Sequence, residues 1–293
     1  MIPIINPDLE RLSQEHYKAV REQLVLDGNF YRINGWFRRH GSKISLKTAI
    51  TAPVPLLEQI VIDYRNAPPN VILKDMYNNS FSKSNKWIGL ERYTSAALVE
   101  NLKIKVCPYC NRNYINNVPT GKKIKRSSQL DHFFNKGDYP YLAMSFFNLI
   151  PVCPACNLLK LQQDISASPH DNRINWDKAV KFNFGIHAAD FLKDENNVYV
   201  KVQVSKELEE NFNVLKLDKQ YEMHNDLVHE LLRKGIIYSP SQLEDIMKNY
   251  AGLFHNREEM LRAIYGNYLD KESLGKRPLS KLTKDIVSRL YFN

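Results

Sequence analysis

Apolar residues recur at helical spacing near the start of the chain. In "NPDLERLSQEHYKAVREQLVLDG", Leu9, Leu12, His16, Ala19, Val20 and Leu24 form one stripe. Asn6 is a candidate cap, Pro7 takes the first helical position and Gly28 is a candidate stop. Prolines at 53, 55, 68 and 69 then divide the region into short elements. Further along, the period changes to two. Phe182 and Phe184 alternate in "KFNFG". In "VYVKVQV", Val198, Val200, Val202 and Val204 share one face, with Tyr199, Lys201 and Gln203 on the other. Helical spacing then returns. "YEMHNDLVHELLRKG" carries a stripe that ends at Gly235. Ser239, Pro240 and Gln242 form a helix-start signature, and Asn256 and Glu259 stand in the same capping relation.

Between these two patterned regions, from Leu102 to about Gln163, neither period dominates. Here lie all four cysteines, the basic turn "TGKKIKR" and the aromatic run "DHFFNKGDYPYLAMSFFN". The order predicts an α+β protein in three parts. A mainly helical region spans 1–101, a central module 102–165, and a C-terminal region 166–293 opens with a short β segment and continues in helices. There is no internal repeat or low-complexity segment.

Composition narrows the classes. Hydrophobic residues make up 43% of the 293, enough to sustain a core. No apolar run approaches the roughly 18 residues that a membrane span needs, and "MIPIINPDLE" lacks the basic-then-apolar order of a secretory signal. Four cysteines in this length do not make a disulfide scaffold, so a reducing cytoplasm is the expected compartment. The net charge of +9 favours an anionic partner, although many basic proteins are merely soluble. Neither G-x4-G-K-[ST] nor G-x-G-x-x-G occurs, so the chain shows no ATPase motif of its own.

The cysteines fall into two pairs, Cys107-x2-Cys110 and Cys153-x2-Cys156. Each such turn aims two sulfurs at one point, and two turns complete a tetrahedral cage for zinc. A redox Cys-x-x-Cys is the rival, but two pairs without a βαβ pattern around either argue against it. A four-sulfur zinc is closed and structural, with no open position for water. Its expected role is to clamp the start of the segment after Cys156 to a distant strand.

Between the pairs stand Asp131-His132 in "SQLDHFFNK" and Asn148 in "FFNL"; Asn157 and Lys160 follow in "CNLLK". The order Cys-x2-Cys, Asp-His, Asn-Leu, Cys-x2-Cys-Asn-x2-Lys resembles an HNH endonuclease with a zinc-stapled ββα-metal core, over about residues 102–163. The wider wording is similar to HNH proteins of bacterial anti-phage systems, including Septu-type nuclease subunits paired with an ATPase. It departs from that pattern at Asn135, where the family often has Pro, and at Asn157, where His is common. The resemblance implies His132 as general base, Asp131 and Asn157 as ligands of Mg²⁺ or Mn²⁺, and Asn148 as a brace that orients His132. It also implies phosphodiester hydrolysis, in DNA rather than RNA, beside a separate ATPase or sensor protein. Taken singly, these residues have plainer readings: a His beside an Asp is usually a satisfied polar pair, and an Asn before an apolar run a turn or cap.

Lys122, Lys123, Lys125 and Arg126 crowd one turn before Asp131. With Lys136 and Lys160 they are candidates for phosphate contact, against the alternative of solvated lysines. Of Tyr114, Phe133, Phe134, Tyr139, Tyr141, Phe146 and Phe147, most are expected in the core, with one or two left to stack on bases. His170 is a loop histidine that could approach the site, and His224 and His229 lack metalloprotease spacing. Two other classes remain open: a zinc-knuckle nucleic-acid binder without catalysis, and a structural zinc module in a protein–protein adaptor.

Overall fold

A computed structural model of the chain describes residues 1–83, 87, 93–121 and 123–291, with the backbone alone at 123 and 125. The first region is helical: α1 (Leu9–Leu26), α2 (Phe30–Arg39), α3 (Leu46–Thr51), α4 (Val54–Tyr64), α5 (Ile72–Met76), a π-helical turn Tyr77–Phe81, and α6 (Ser95–Asn101). The predicted stripe of α1 is buried at Leu12, His16, Ala19, Val20 and Leu24. The cap is Asp8, not Asn6. Asn6 Oδ1 accepts from the Asp8 N–H, and its Nδ2 donates to the Asn101 and Leu102 carbonyls, tying the chain start to the end of α6.

The middle of the chain contains two hairpins. β1 (Asn117–Thr120) pairs antiparallel with β2 (Lys123–Arg126) around Gly121, whose φ of +61° suits a residue without Cβ. β3 (Gln129–His132) pairs with β4 (Leu149–Val152), setting His132 opposite Leu149. α7 (Pro154–Lys160) follows almost directly, with Cys153 as its N-cap, and packs on β3. A ββα unit results, its two strands separated by the loop that holds the aromatic run.

The C-terminal region begins with α8 (Trp176–Ala179) and the antiparallel pair β5 (Val180–Ile186) and β6 (Val198–Val204). Six helices follow: α9 (Glu209–Leu215), α10 (Leu217–Glu222), α11 (Asn225–Ile237), α12 (Pro240–Asn249), α13 (Arg257–Tyr265) and α14 (Ser280–Tyr291). Ser239 and Asn256 cap α12 and α13 as predicted. Gly235 does not end its helix. It lies inside α11, where a Cβ would come 2.7 Å from Leu290 Cδ1, so the glycine permits α14 to approach closely. The chain is thus mixed helix and small sheets, and buried residues from all three stretches join one hydrophobic cluster. No helix among the described residues is long and apolar enough to cross a membrane.

The helical region grips the loop between β3 and β4. His16 Nε2 donates to the Met144 carbonyl (2.8 Å) and Nδ1 accepts from Tyr93 Oη (3.1 Å); Ser145 Oγ donates to the Ala49 carbonyl (2.8 Å). Burial pushes the His16 ring down to about 4. Between pH 6.5 and about 4 the unfolded chain therefore binds a proton at this residue that the folded chain refuses. Stability present above pH 6.5 is lost as the pH falls through that window, by about 2 kcal/mol at pH 5 from this ring alone. Urea unfolding at pH 7.5 and pH 5 should show at least that loss, with an NMR signal for His16 that stays neutral at pH 5. A ring titrating near 6.5 would contradict the account.

Candidate active site

The cysteines converge. Cys107 and Cys110 sit in a turn closed by the Val106–Tyr114 bridge, while Cys153 and Cys156 open α7. All four are buried and unbridged, and their sulfurs lie within 4.8 Å of one another. Cys110 and Cys153 Sγ are 3.9 Å apart. That is far beyond the ~2.05 Å of a disulfide and close to the ~3.8 Å edge of a tetrahedron with ~2.3 Å Zn–S bonds. Burial raises the Cys107 thiol, whereas the hydrogen bond from Cys107 holds Cys153 low. Four thiolates at this spacing repel unless a cation sits among them, so the donor set fits a closed zinc site. Asn113 Nδ2 donates to Cys153 Sγ (3.3 Å) and the Arg112 N–H to Cys110 Sγ (3.4 Å), both of which favour charged sulfur.

The C-terminal region braces the first knuckle. Tyr221 Oη donates to the Cys110 carbonyl (2.6 Å), and Arg112 Nε donates to His224 Nε2 (2.8 Å). Asn111, at φ +51°, donates to the Leu274 carbonyl and accepts from the Lys281 N–H.

Beside the cage opens a polar pocket of about 230 Å³, lined among others by Asp131, His132, Asn135, Lys136, Asn157 and Leu161. The predicted carboxylate, imidazole and amide therefore share one cavity. Asp131 is 5% exposed, and both its oxygens are held. Tyr109 Oη donates to Oδ2 (2.6 Å), and Lys160 Nζ donates to Oδ1 (3.3 Å) and to the His132 carbonyl (3.1 Å). Burial raises the Asp131 carboxyl above the usual range, against the opposing pull of Lys160 and Tyr109.

His132 Nε2 lies 3.0 Å from the Ala143 carbonyl, and its ring packs edge-on against Tyr77 at 4.4 Å. Burial, then the Lys136 ammonium, pushes the ring down to about 3, so it is neutral at pH 7. A carbonyl only accepts, so Nε2 carries the proton and Nδ1 keeps its lone pair. Asn148 lies outside the pocket. Its Oδ1 accepts from the Phe134 N–H (2.7 Å), and its Nδ2 donates to the Phe134 and Leu142 carbonyls. It braces the loop whose next carbonyl, Ala143, holds His132. Asn157 Nδ2 donates to Gln129 Oε1 (2.6 Å), so its amide oxygen is the atom that could take a cation. One carboxylate and one amide oxygen form a hard donor set that fits Mg²⁺ or Mn²⁺.

Some sequence expectations need correction. Lys160 is 1% exposed and paired with Asp131, so it is internal and makes no phosphate contact. Lys122 lies outside the described residues, and Lys123 and Lys125 lie on β2. Arg126 is half-buried, with Nη1 unpartnered among the described residues. Lys136 is on the pocket wall, 5.4 Å from the Tyr77 ring, and burial lowers it. His170 is core, packed against Phe146 and Phe147 and pushed by burial to about 4. The aromatics are indeed mainly core, with Tyr114 exposed. Sequence reasoning missed Tyr109, Tyr77 and Leu161. Tyr109 had a signal in its place inside the "CPYC" knuckle; Leu161, at φ +48° on the pocket rim, had none.

No protein-family model, no curated protein and no solved structure matches the chain.

Purified protein should carry one zinc per chain. Cys153→Ser should lose most of it and lower the unfolding midpoint sharply, since metal binding at such a cage is folding free energy. Elemental analysis and thermal unfolding read both; full stability without zinc would remove the cage from the account.

Proposed function

We propose that this chain is a metal-dependent endonuclease of the HNH type. It hydrolyses phosphodiester bonds in DNA in preference to RNA, as an effector of anti-phage defence beside a separate ATPase or sensor protein. The observation that carries the proposal is the single pocket shared by Asp131, His132, Lys136 and Asn157 on a ββα unit next to a four-sulfur cage. The substrate preference and the defence role rest on the sequence resemblance and the basic charge.

A divalent cation held by the Asp131 carboxylate and the Asn157 amide oxygen would supply charge relief at the phosphate and ease formation of hydroxide. His132 Nδ1 accepts the proton of the attacking water once water and an anionic phosphate enter the pocket and relieve the burial that holds the ring low, and the Ala143 carbonyl keeps the ring in the tautomer that allows this. Lys136 pairs with a non-bridging phosphate oxygen. The zinc cage takes no chemical part. The competing reading, a zinc-knuckle binder without catalysis, is favoured by one feature: Lys160 and Tyr109 already satisfy Asp131 in a buried pair.

Purified protein should nick supercoiled plasmid with Mg²⁺ or Mn²⁺, and EDTA should stop it. His132→Ala should slow nicking by about 10²–10⁴-fold while zinc content and folding persist. A His132→Ala protein that nicks at the wild-type rate would falsify the catalytic assignment. DNA binding unchanged by that substitution, with no cleavage by the wild type under any metal, would establish the binder instead.

A further inference from the structure

We propose that Tyr109 is a positioning residue for Asp131, through which the cysteine cage sets the pocket's affinity for a divalent cation. The inference depends on the nuclease reading only for Asp131 as a metal ligand.

Tyr109 lies between Cys107 and Cys110, so its place is fixed by the cage. Its side chain is fully buried, and its hydroxyl donates to Asp131 Oδ2 at 2.6 Å. The other oxygen, Oδ1, takes Lys160 Nζ at 3.3 Å. Lys160 is the last residue of α7, the helix that opens with the second cysteine pair. Each knuckle's segment thus contributes one donor, and the two donors fix the orientation of the carboxylate. A carboxylate has about four lone-pair sites, and these donors with the His132 backbone N–H leave part of that capacity unused. Those remaining lone pairs are what the pocket can offer a cation.

The balance fails if one donor is removed. Without the Tyr109 O–H, Lys160 is the one charged donor left on the carboxylate, beside the His132 backbone N–H. A buried ammonium draws both oxygens of its counter-ion toward itself, because the charge-assisted contact is the strongest one left. The lone pairs then turn from the pocket to the lysine. Tyr109→Phe removes one oxygen atom and keeps the ring that fills the core, so packing is nearly conserved. Partners of this kind, one step outside the metal, characteristically change affinity by about 10–100-fold.

The test uses the zinc-loaded full chain, with Mn²⁺ alone as probe and the free-ion EPR signal as readout. Wild type, Tyr109→Phe and Asp131→Asn are compared, with zinc content and unfolding midpoint measured on each. The expected result is a Mn²⁺ site in wild type, its loss in Asp131→Asn, and binding about tenfold weaker in Tyr109→Phe with zinc and midpoint retained. Equal Mn²⁺ affinity in wild type and Tyr109→Phe, against clear loss in Asp131→Asn, overturns the role of Tyr109 and leaves the nuclease reading standing. No difference among the three removes Asp131 as a ligand and overturns both. A Tyr109→Phe protein that loses its zinc also overturns the inference, because the hydroxyl would then serve the cage and not the carboxylate.

Discussion

Asp131 carries a carboxylate where water barely reaches, and much of the central module is arranged around that charge. Taking an ionised carboxylate out of water costs several kcal/mol even after the protein relaxes. The charge is tolerated because an ammonium and a phenol meet its two oxygens. Those donors come from segments far apart in sequence: Tyr109 from the first knuckle and Lys160 from the end of α7. Each segment also carries a cysteine pair. The cage therefore does more than close a loop: it brings together the two donors that offset the burial of the Asp131 carboxyl.

The module is too small to hold this arrangement alone. A unit of some sixty residues buries only about 60% of the surface its unfolded chain exposes, and its core is marginal. Here the flanking regions complete it. From the N-terminal side, His16 and Ala49 hold Met144 and Ser145, Tyr77 Oη donates to the Leu130 carbonyl, and the Tyr77 ring packs on His132. From the C-terminal side, Tyr221, His224 and the segment around Leu274 fix Cys110, Arg112 and Asn111. The first set orients the imidazole and the second steadies the cage. Asn148 adds a brace inside the module by spanning the loop between Phe134 and Leu142.

The legible parts of the sequence were those governed by local rules. The α1 stripe, the Val198–Val204 alternation and the caps at Ser239 and Asn256 depend on neighbours a few residues away, and each appears where expected. The cysteine convergence was legible for another reason: Cys-x2-Cys pairs specify their own geometry. Misreadings occurred where a distant partner decides. Asn6 looks like a cap, yet its amide serves α6. Gly235 looks like a helix stop, yet it makes room for Leu290. Lys160 looks like an exposed helical lysine because unpaired lysines avoid burial. Only the fold shows that Asp131, 29 residues earlier, supplies the pairing.

The same pair bears on how the pocket would load. With Lys160 neutralising Asp131, a bare divalent cation meets a carboxylate already compensated, and Lys136 beside it adds repulsion. Neither feature suits tight binding of the ion alone. An approaching phosphate reverses this, since its oxygens pair with Lys136 and supply ligands that Mg²⁺ otherwise takes from water. On the nuclease reading, cation and nucleic acid therefore bind with positive coupling, each raising the affinity for the other by the same factor. On that reading the pocket holds the ion measurably by itself and more tightly once a phosphate is present, with no moving part required.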